Sequence, residues 1–196
     1  MRNAEFDREQ VLRQAMTAFM AKGYAKTSMQ DLTKATGLHP GSIYCAFDNK
    51  RGLLLAALEQ YVSDRNEEFA LFFNNGTNFT KQLKAYLDNI VQECLSCDTA
   101  KACLLTKALN ELAEQDDDVR NIINRYLQSW HQALAVNFQA AIENGQLTPP
   151  KSSLHLARYF VMGIYGLRTF AQSHPEPEVL NDLAEQLYQD TCLRFS

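Results

Sequence analysis

Apolar residues recur along this chain at three- and four-residue intervals, the spacing that lines one face of an α-helix. From Asp7 to Lys22, Val11, Leu12, Ala15, Met16, Phe19 and Met20 form one apolar stripe. Gly23 follows, in the place where a left-handed residue ends a helix. A second, short helix is predicted from Ser28, which with Asp31 makes the S-x-x-D pattern of a capping box, to about Thr36, before Gly37. A third opens at Pro40, where the missing N–H costs nothing, and places Ile43 and Phe47 on one inward face. A long helix then runs from about Lys50, with Leu53, Leu54, Ala57, Leu58, Tyr61 and Val62 at helical spacing, to the break at "NNGTN". About five more helices follow, the longest ending near Gly145 and the last two separated by "HPEPE". The pattern predicts an all-α protein of about nine helices. Three of them form an N-terminal head over residues 1–50, and a helical body occupies residues 51–196.

Composition changes this picture only slightly. With 196 residues the chain can bury a sizeable core, and no apolar run reaches the ~18 residues a membrane span needs. The first residues lack the apolar stretch of a signal peptide, so a cytoplasmic location with no membrane partner is expected. Five cysteines, odd in number and irregular in spacing, argue against a disulfide framework.

Charge matters more. The net charge is −4, but residues 1–51 hold eight Lys/Arg against five Asp/Glu, and the remainder holds eleven against eighteen. A basic head on an acidic body suggests two separate tasks.

Two short helices joined by "GLHPG" match the helix-turn-helix plan, whose second helix enters the major groove of DNA. The stretch "GLHPGSIYCAFDNK" suits that use because its outer face is slim. Gly41 and Ser42 permit close approach to the duplex, and a groove about 12 Å wide admits only a narrow helix face. Tyr44 and Lys50 are positioned to hold phosphates, and His39, Ser42 and Cys45 project outward as candidate base readers. Taken one at a time, the same residues also suit plain packing or solvated roles.

Residues 18–54, "AFMAKGYAKTSMQDLTKATGLHPGSIYCAFDNKRGLL", resemble the DNA-binding region of the TetR/AcrR family of bacterial transcriptional regulators. Gly23-Tyr24, Thr27-Ser28, Leu32, Ala35-Gly37, Gly41, Ile43-Tyr44, Phe47, Lys50 and Leu53 carry the resemblance. Ala46, where that family usually has His, and Thr33 and His39 depart from it. The resemblance implies a two-domain, nine-helix regulator that binds a double-stranded, pseudo-palindromic operator as a homodimer and answers to a small-molecule effector. It also implies that Thr27, Tyr44 and Lys50 hold phosphates and that Ser28 caps the second helix. The DNA-facing set is then Thr27, Ser28, His39, Pro40, Gly41, Ser42, Tyr44, Cys45 and Lys50.

In the body, "LARYFVMGIYGLRTF" is apolar over more than one stripe, and the final helix adds Val179, Leu180, Leu183, Leu187, Tyr188 and Leu193. Two such helices suit a symmetric dimer interface, as the resemblance also implies. Tyr86, Cys103, Lys107, Trp130, Phe138, Tyr159 and Met162 are candidate effector-binding residues, each equally at home in a core. Cys94 and Cys97 have C-x-x-C spacing without a second half-site, so no metal or cofactor is expected. Cys103 lies between Lys101 and Lys107, which would favour its thiolate if they are close in space. The reading is a ligand- or thiol-responsive repressor and not an enzyme. The alternative is a redox or metal-binding helical protein built on these cysteines.

Overall fold

The computed structural model describes residues 6–73, 78–96, 104–112, 115–148 and 151–192. Among them are nine α-helices and no strand: α1 (Arg8–Lys22), α2 (Met29–Thr36), α3 (Pro40–Phe47), α4 (Lys50–Phe73), α5 (Phe79–Ser96), α6 (Leu104–Leu112), α7 (Asp117–Glu143), α8 (Ser153–Phe170) and α9 (Pro177–Cys192). The all-α expectation holds, the first four helices start within a residue of where the pattern places them, and α1, α2 and α4 also stop there.

The chain forms two compact units. One comprises Met1–Asn66 with Leu104–Ile123, the other Glu67–Cys103 with Asn124–Ser196. The first therefore takes in more than residues 1–50, adding most of α4, all of α6 and the start of α7.

In the first unit, the side chain of Asp7 caps α1 by accepting from the Gln10 amide. Val11, Leu12, Ala15, Met16 and Phe19 of α1, Leu32 of α2, and Ile43 and Phe47 of α3 are buried, as are Leu53, Leu54, Ala57 and Leu58 of α4. Arg13 on α1 grips Asp64 on α4 through two hydrogen bonds of 3.1 and 2.9 Å. Helix α6 belongs to this unit as well. The Lys107 ammonium donates to the carbonyl of Met20, and a Glu111 carboxylate oxygen accepts from the Ala25 amide at 3.0 Å. The lysine satisfies a carbonyl that the end of α1 leaves without a helical partner, and the glutamate satisfies an amide of the turn that follows. At Gly23 the backbone is not left-handed helical as expected. Its φ of 81° and ψ of 163° lie in a region essentially reserved for glycine. A side chain there would also collide with Glu111.

The second unit packs α5, α7, α8 and α9 around Leu83, Leu87, Ile90, Phe138, Phe160, Val161 and Ile164. Gly163 permits close contact between α8 and α9. A methyl group there would fall 2.4 Å from Leu187 of α9. Gly166 has no such neighbour and faces open space. No helix among the described residues is long and apolar enough to cross a membrane.

Candidate DNA-binding surface

Helix α2 is built as its sequence specifies. Ser28 Oγ accepts from the Asp31 amide at 3.1 Å, and Asp31 accepts from the Ser28 amide at 2.9 Å, completing the capping box. Lys22 and the two Ser28 donors hold the Asp31 carboxyl well below the usual carboxylate range, the lysine hydrogen bond contributing most. Gly37 then closes α2 in the left-handed conformation, φ 68° and ψ 3°. Its amide donates to Thr33, and Thr36 Oγ1 turns back onto the Leu32 carbonyl.

Helix α3 starts three residues later. Ile43 and Phe47 anchor it inward, both buried, while Gly41, Tyr44 and Cys45 lie on its exposed side. Tyr44 is 50% exposed, unusual for so large a ring. Ser42 is half-buried and Pro40 occupies the first helical turn, as anticipated. His39 does something the sequence did not suggest: it is the N-cap of α3, its Nδ1 accepting from the Gly41 amide at 3.2 Å.

The junction to α4 is only Asp48 and Asn49. Asp48 has a φ of 63° and ψ of −48°, and the Asn49 amide donates to the Phe47 carbonyl at 2.7 Å. That is a γ-turn, a strained conformation for a residue with a side chain. Asn49 Oδ1 then caps α4 by accepting from the Gly52 amide at 2.9 Å. These residues aim α3, and the alternation of apolar positions carries no sign of them. The one available signal was a glycine in the first turn of a strongly apolar helix.

Two members of the expected DNA-facing set are placed differently. Thr27 is 0% exposed, and its hydroxyl donates to the Gly23 carbonyl, so its side chain holds the α1–α2 turn and faces no solvent. The Lys50 ammonium donates to the carbonyls of Tyr24 and Thr27 at 2.8 and 2.9 Å and lies 4.3 Å from the centre of the Tyr24 ring. Two of its three donors are thus spent inside the head. Replacing Lys50 with alanine should lower head stability by about 2 kcal/mol, the scale of lost charge-assisted hydrogen bonds. A phosphate ligand alone would weaken DNA binding and leave the unfolding midpoint unchanged, so thermal unfolding followed by circular dichroism separates the two roles.

The candidate effector residues do not converge on one place. Lys107 belongs to the first unit and is tied to Met20. In the second unit, Tyr86 is buried against Phe69, Phe72 and Phe73, and Phe138 is buried against Phe79 and Phe160. Trp130 pairs with Tyr165 at 5.9 Å, and the Tyr159 hydroxyl reaches Asp190 at 3.4 Å. Met162 is 61% exposed and turned away from the core. Cys103 and Cys97 lie outside the described residues.

Of the described cysteines none is in a disulfide: Cys45 is exposed, and Cys94 and Cys192 are buried. Burial pushes the Cys192 thiol up to about 12. Alkylation of the native protein at neutral pH, mapped by mass spectrometry, should label Cys45 and spare Cys94 and Cys192 until the chain is unfolded. Labelling of Cys192 at the rate of Cys45 would contradict the burial. Among the described residues no group of three or more His, Cys, Asp or Glu side chains is arranged to hold a metal ion.

Residues 11–57 match the family model for bacterial regulatory proteins of the tetR family, and residues 80–187 match the tetracyclin repressor-like C-terminal domain. The HTH-type transcriptional repressor ComR of Escherichia coli (strain K12) is 28% identical over 181 residues, covering 91% of this chain and 86% of that protein. The transcriptional regulator AcuR of Cereibacter sphaeroides is 24% identical over 178 residues, 89% of this chain and 81% of its own. Among solved structures, a TetR transcriptional regulator from Chloroflexus aurantiacus J-10-FL has the same fold, with a TM-score of 0.81 at 24% identity over 93% of this chain and 92% of that one. So does a cysteine mutant of the TetR family regulator CifR complexed with 26bp double-strand operator DNA, with a TM-score of 0.83 at 24% identity over 96% and 98% of the two chains. Helix-turn-helix geometry at the head and family matches over both the head and more than half of the 196 residues agree: the chain belongs to the tetR family of bacterial regulatory proteins and is a DNA-binding transcriptional regulator.

Proposed function

We propose that this regulator is a repressor that binds a pseudo-palindromic operator as a homodimer and is released by a small-molecule or thiol-reactive effector. The observation that carries the DNA half of this reading is the form of α3. Its inner face is fixed by Ile43 and Phe47, and its outer face presents nothing bulkier than Tyr44 beside Gly41, Ser42 and Cys45. A helix so anchored and so slim fits a major groove. Tyr44 supplies a hydroxyl for phosphate, and with Lys50 largely engaged, exposed Lys26 and Lys34 are the cations best able to neutralise the backbone.

Dimerisation is assigned to α8 and α9, where Met162, Phe170, Val179 and Leu183 are exposed apolar residues and Gly166 opens onto free space. An isologous contact would cover this apolar surface and place two heads about one helical turn of DNA apart. Similar relatives named as repressors, ComR among them, support repression over activation. Division of labour at about residue 50 is part of the same proposal.

Selection of bound duplexes from a random library tests it. A pseudo-palindromic sequence should emerge, bound by a dimer. Tyr44→Phe should weaken binding to all sequences alike, and Leu183→Glu should yield a monomer with much lower operator affinity. Recovery of no preferred sequence, or full operator binding by the Leu183→Glu monomer, would overturn it. A screen for compounds that release the selected DNA then identifies the effector class.

A further inference from the structure

The N-cap of α3 has a consequence for how DNA is read, resting on the proposed role of α3 in the major groove. His39 Nδ1 accepts a hydrogen bond from the Gly41 amide, so this nitrogen carries a lone pair and no proton. A neutral imidazole has its single N–H on the other nitrogen. The cap therefore fixes both the tautomer and the direction of the ring, and it leaves Nε2–H as a donor. Among the described residues this Nε2 has no partner, and His39 is exposed.

The side chains at the leading end of the recognition helix are the ones that reach base edges. Of the three outward candidates, Ser42 has a hydroxyl that rotates freely and Cys45 a weakly donating thiol. Only His39 offers a donor whose direction the fold itself sets. A serine cap would stabilise α3 as well but would present no donor beyond the cap, and an asparagine cap would present its amide donors one bond short of where Nε2 reaches.

We propose that His39 is a specificity-determining residue. Its cap-locked imidazole presents Nε2–H to an acceptor on a base edge in the major groove: a purine N7, a guanine O6 or a thymine O4. The capping and reading tasks fall on different nitrogens, so substitution can separate them. Asparagine places an oxygen where Nδ1 sits and keeps the cap, but its amide donors stop one bond short of the Nε2 position. Glutamine keeps a donor at the distal position and loses the cap. Alanine loses both.

The test is library selection with wild type, His39→Asn, His39→Gln and His39→Ala, alongside thermal unfolding of each. His39→Asn should unfold at the wild-type midpoint, lose its preference at one position in each half-site, and bind the wild-type operator about tenfold more weakly. On an operator altered at that position, His39→Asn and wild type should bind alike. His39→Ala should show the same loss of preference together with a lowered midpoint. His39→Gln should have the lowered midpoint but retain part of the preference. Unchanged base preference in His39→Asn would overturn the proposal, and so would an affinity loss equal on all sequences, which would move the contact to phosphate. If wild type itself selects no sequence, the DNA reading of the head fails with it. A clear wild-type operator with an unaltered His39→Asn preference sinks the histidine inference alone.

Discussion

Gly52→Ala should destabilise the protein by about 3 kcal/mol or more and abolish operator binding, although it replaces a glycine in a helix with the best helix former. The cause is one backbone atom. A β-carbon at position 52 would sit 1.9 Å from the carbonyl oxygen of Phe47, far inside any contact distance. That oxygen belongs to the last residue of α3 and is held by the Asn49 amide within the γ-turn at Asp48. It cannot rotate aside as a side chain would. The methyl group must push α3 and α4 apart, and α3 is the helix whose aim decides DNA contact. Asn49→Ala, which removes only the α4 cap, should cost about 1 kcal/mol and leave operator binding detectable. Urea unfolding of the two variants gives the comparison. A Gly52→Ala protein within about 0.5 kcal/mol of wild type would mean that the α3–α4 junction is far softer than its geometry implies.

The second large effect is expected in the other unit. Arg168 on α8 is only 8% exposed, and its guanidinium donates to Glu93 of α5 at 2.6 Å. Glu93→Gln would keep the shape of the side chain but remove the negative charge that faces this buried guanidinium. The expected destabilisation is about 3 kcal/mol, the lower end of the range for breaking a buried pair, because the Glu93 side chain keeps 22% of its exposure. Joint replacement by Glu93→Leu and Arg168→Met should recover much of that loss, since an apolar pair of similar volume avoids the desolvation of both ions. If Glu93→Gln and the double variant unfold at the same urea concentration, the ion pair is not what holds α5 against α8. Operator contacts are remote in sequence from both residues, so loss of DNA binding should follow unfolding and not precede it.

Much of the head is legible in the sequence alone. The capping box at Ser28 and Asp31, the stop at Gly37, the start at Pro40 and the inward pair Ile43 and Phe47 are local signals. Each depends on hydrogen bonds or side-chain spacing within a few residues. The site was less legible wherever a residue's partner is distant in sequence. Thr27 and Lys50 fit a phosphate-binding pattern, yet both are drawn inward by carbonyls of the α1–α2 turn, 23 and 26 residues from Lys50. The effector candidates suffered more. Polar and aromatic residues among apolar ones mark a pocket or a core equally well; Tyr86 and Phe138 are buried and Met162 is exposed.

The sequence by itself determined the fold class, the order and ends of the head helices, and the slim outer face of α3, because helix periodicity and capping are written within a turn or two of chain. Only the tertiary structure decided which way the polar groups turn. It seated Lys107 and Glu111 of α6 on the end of α1, pressed the Phe47 carbonyl against Gly52, and gave His39 the cap that fixes its proton. Those outcomes depend on where a backbone donor or acceptor lies in space, and no spacing along the chain encodes that.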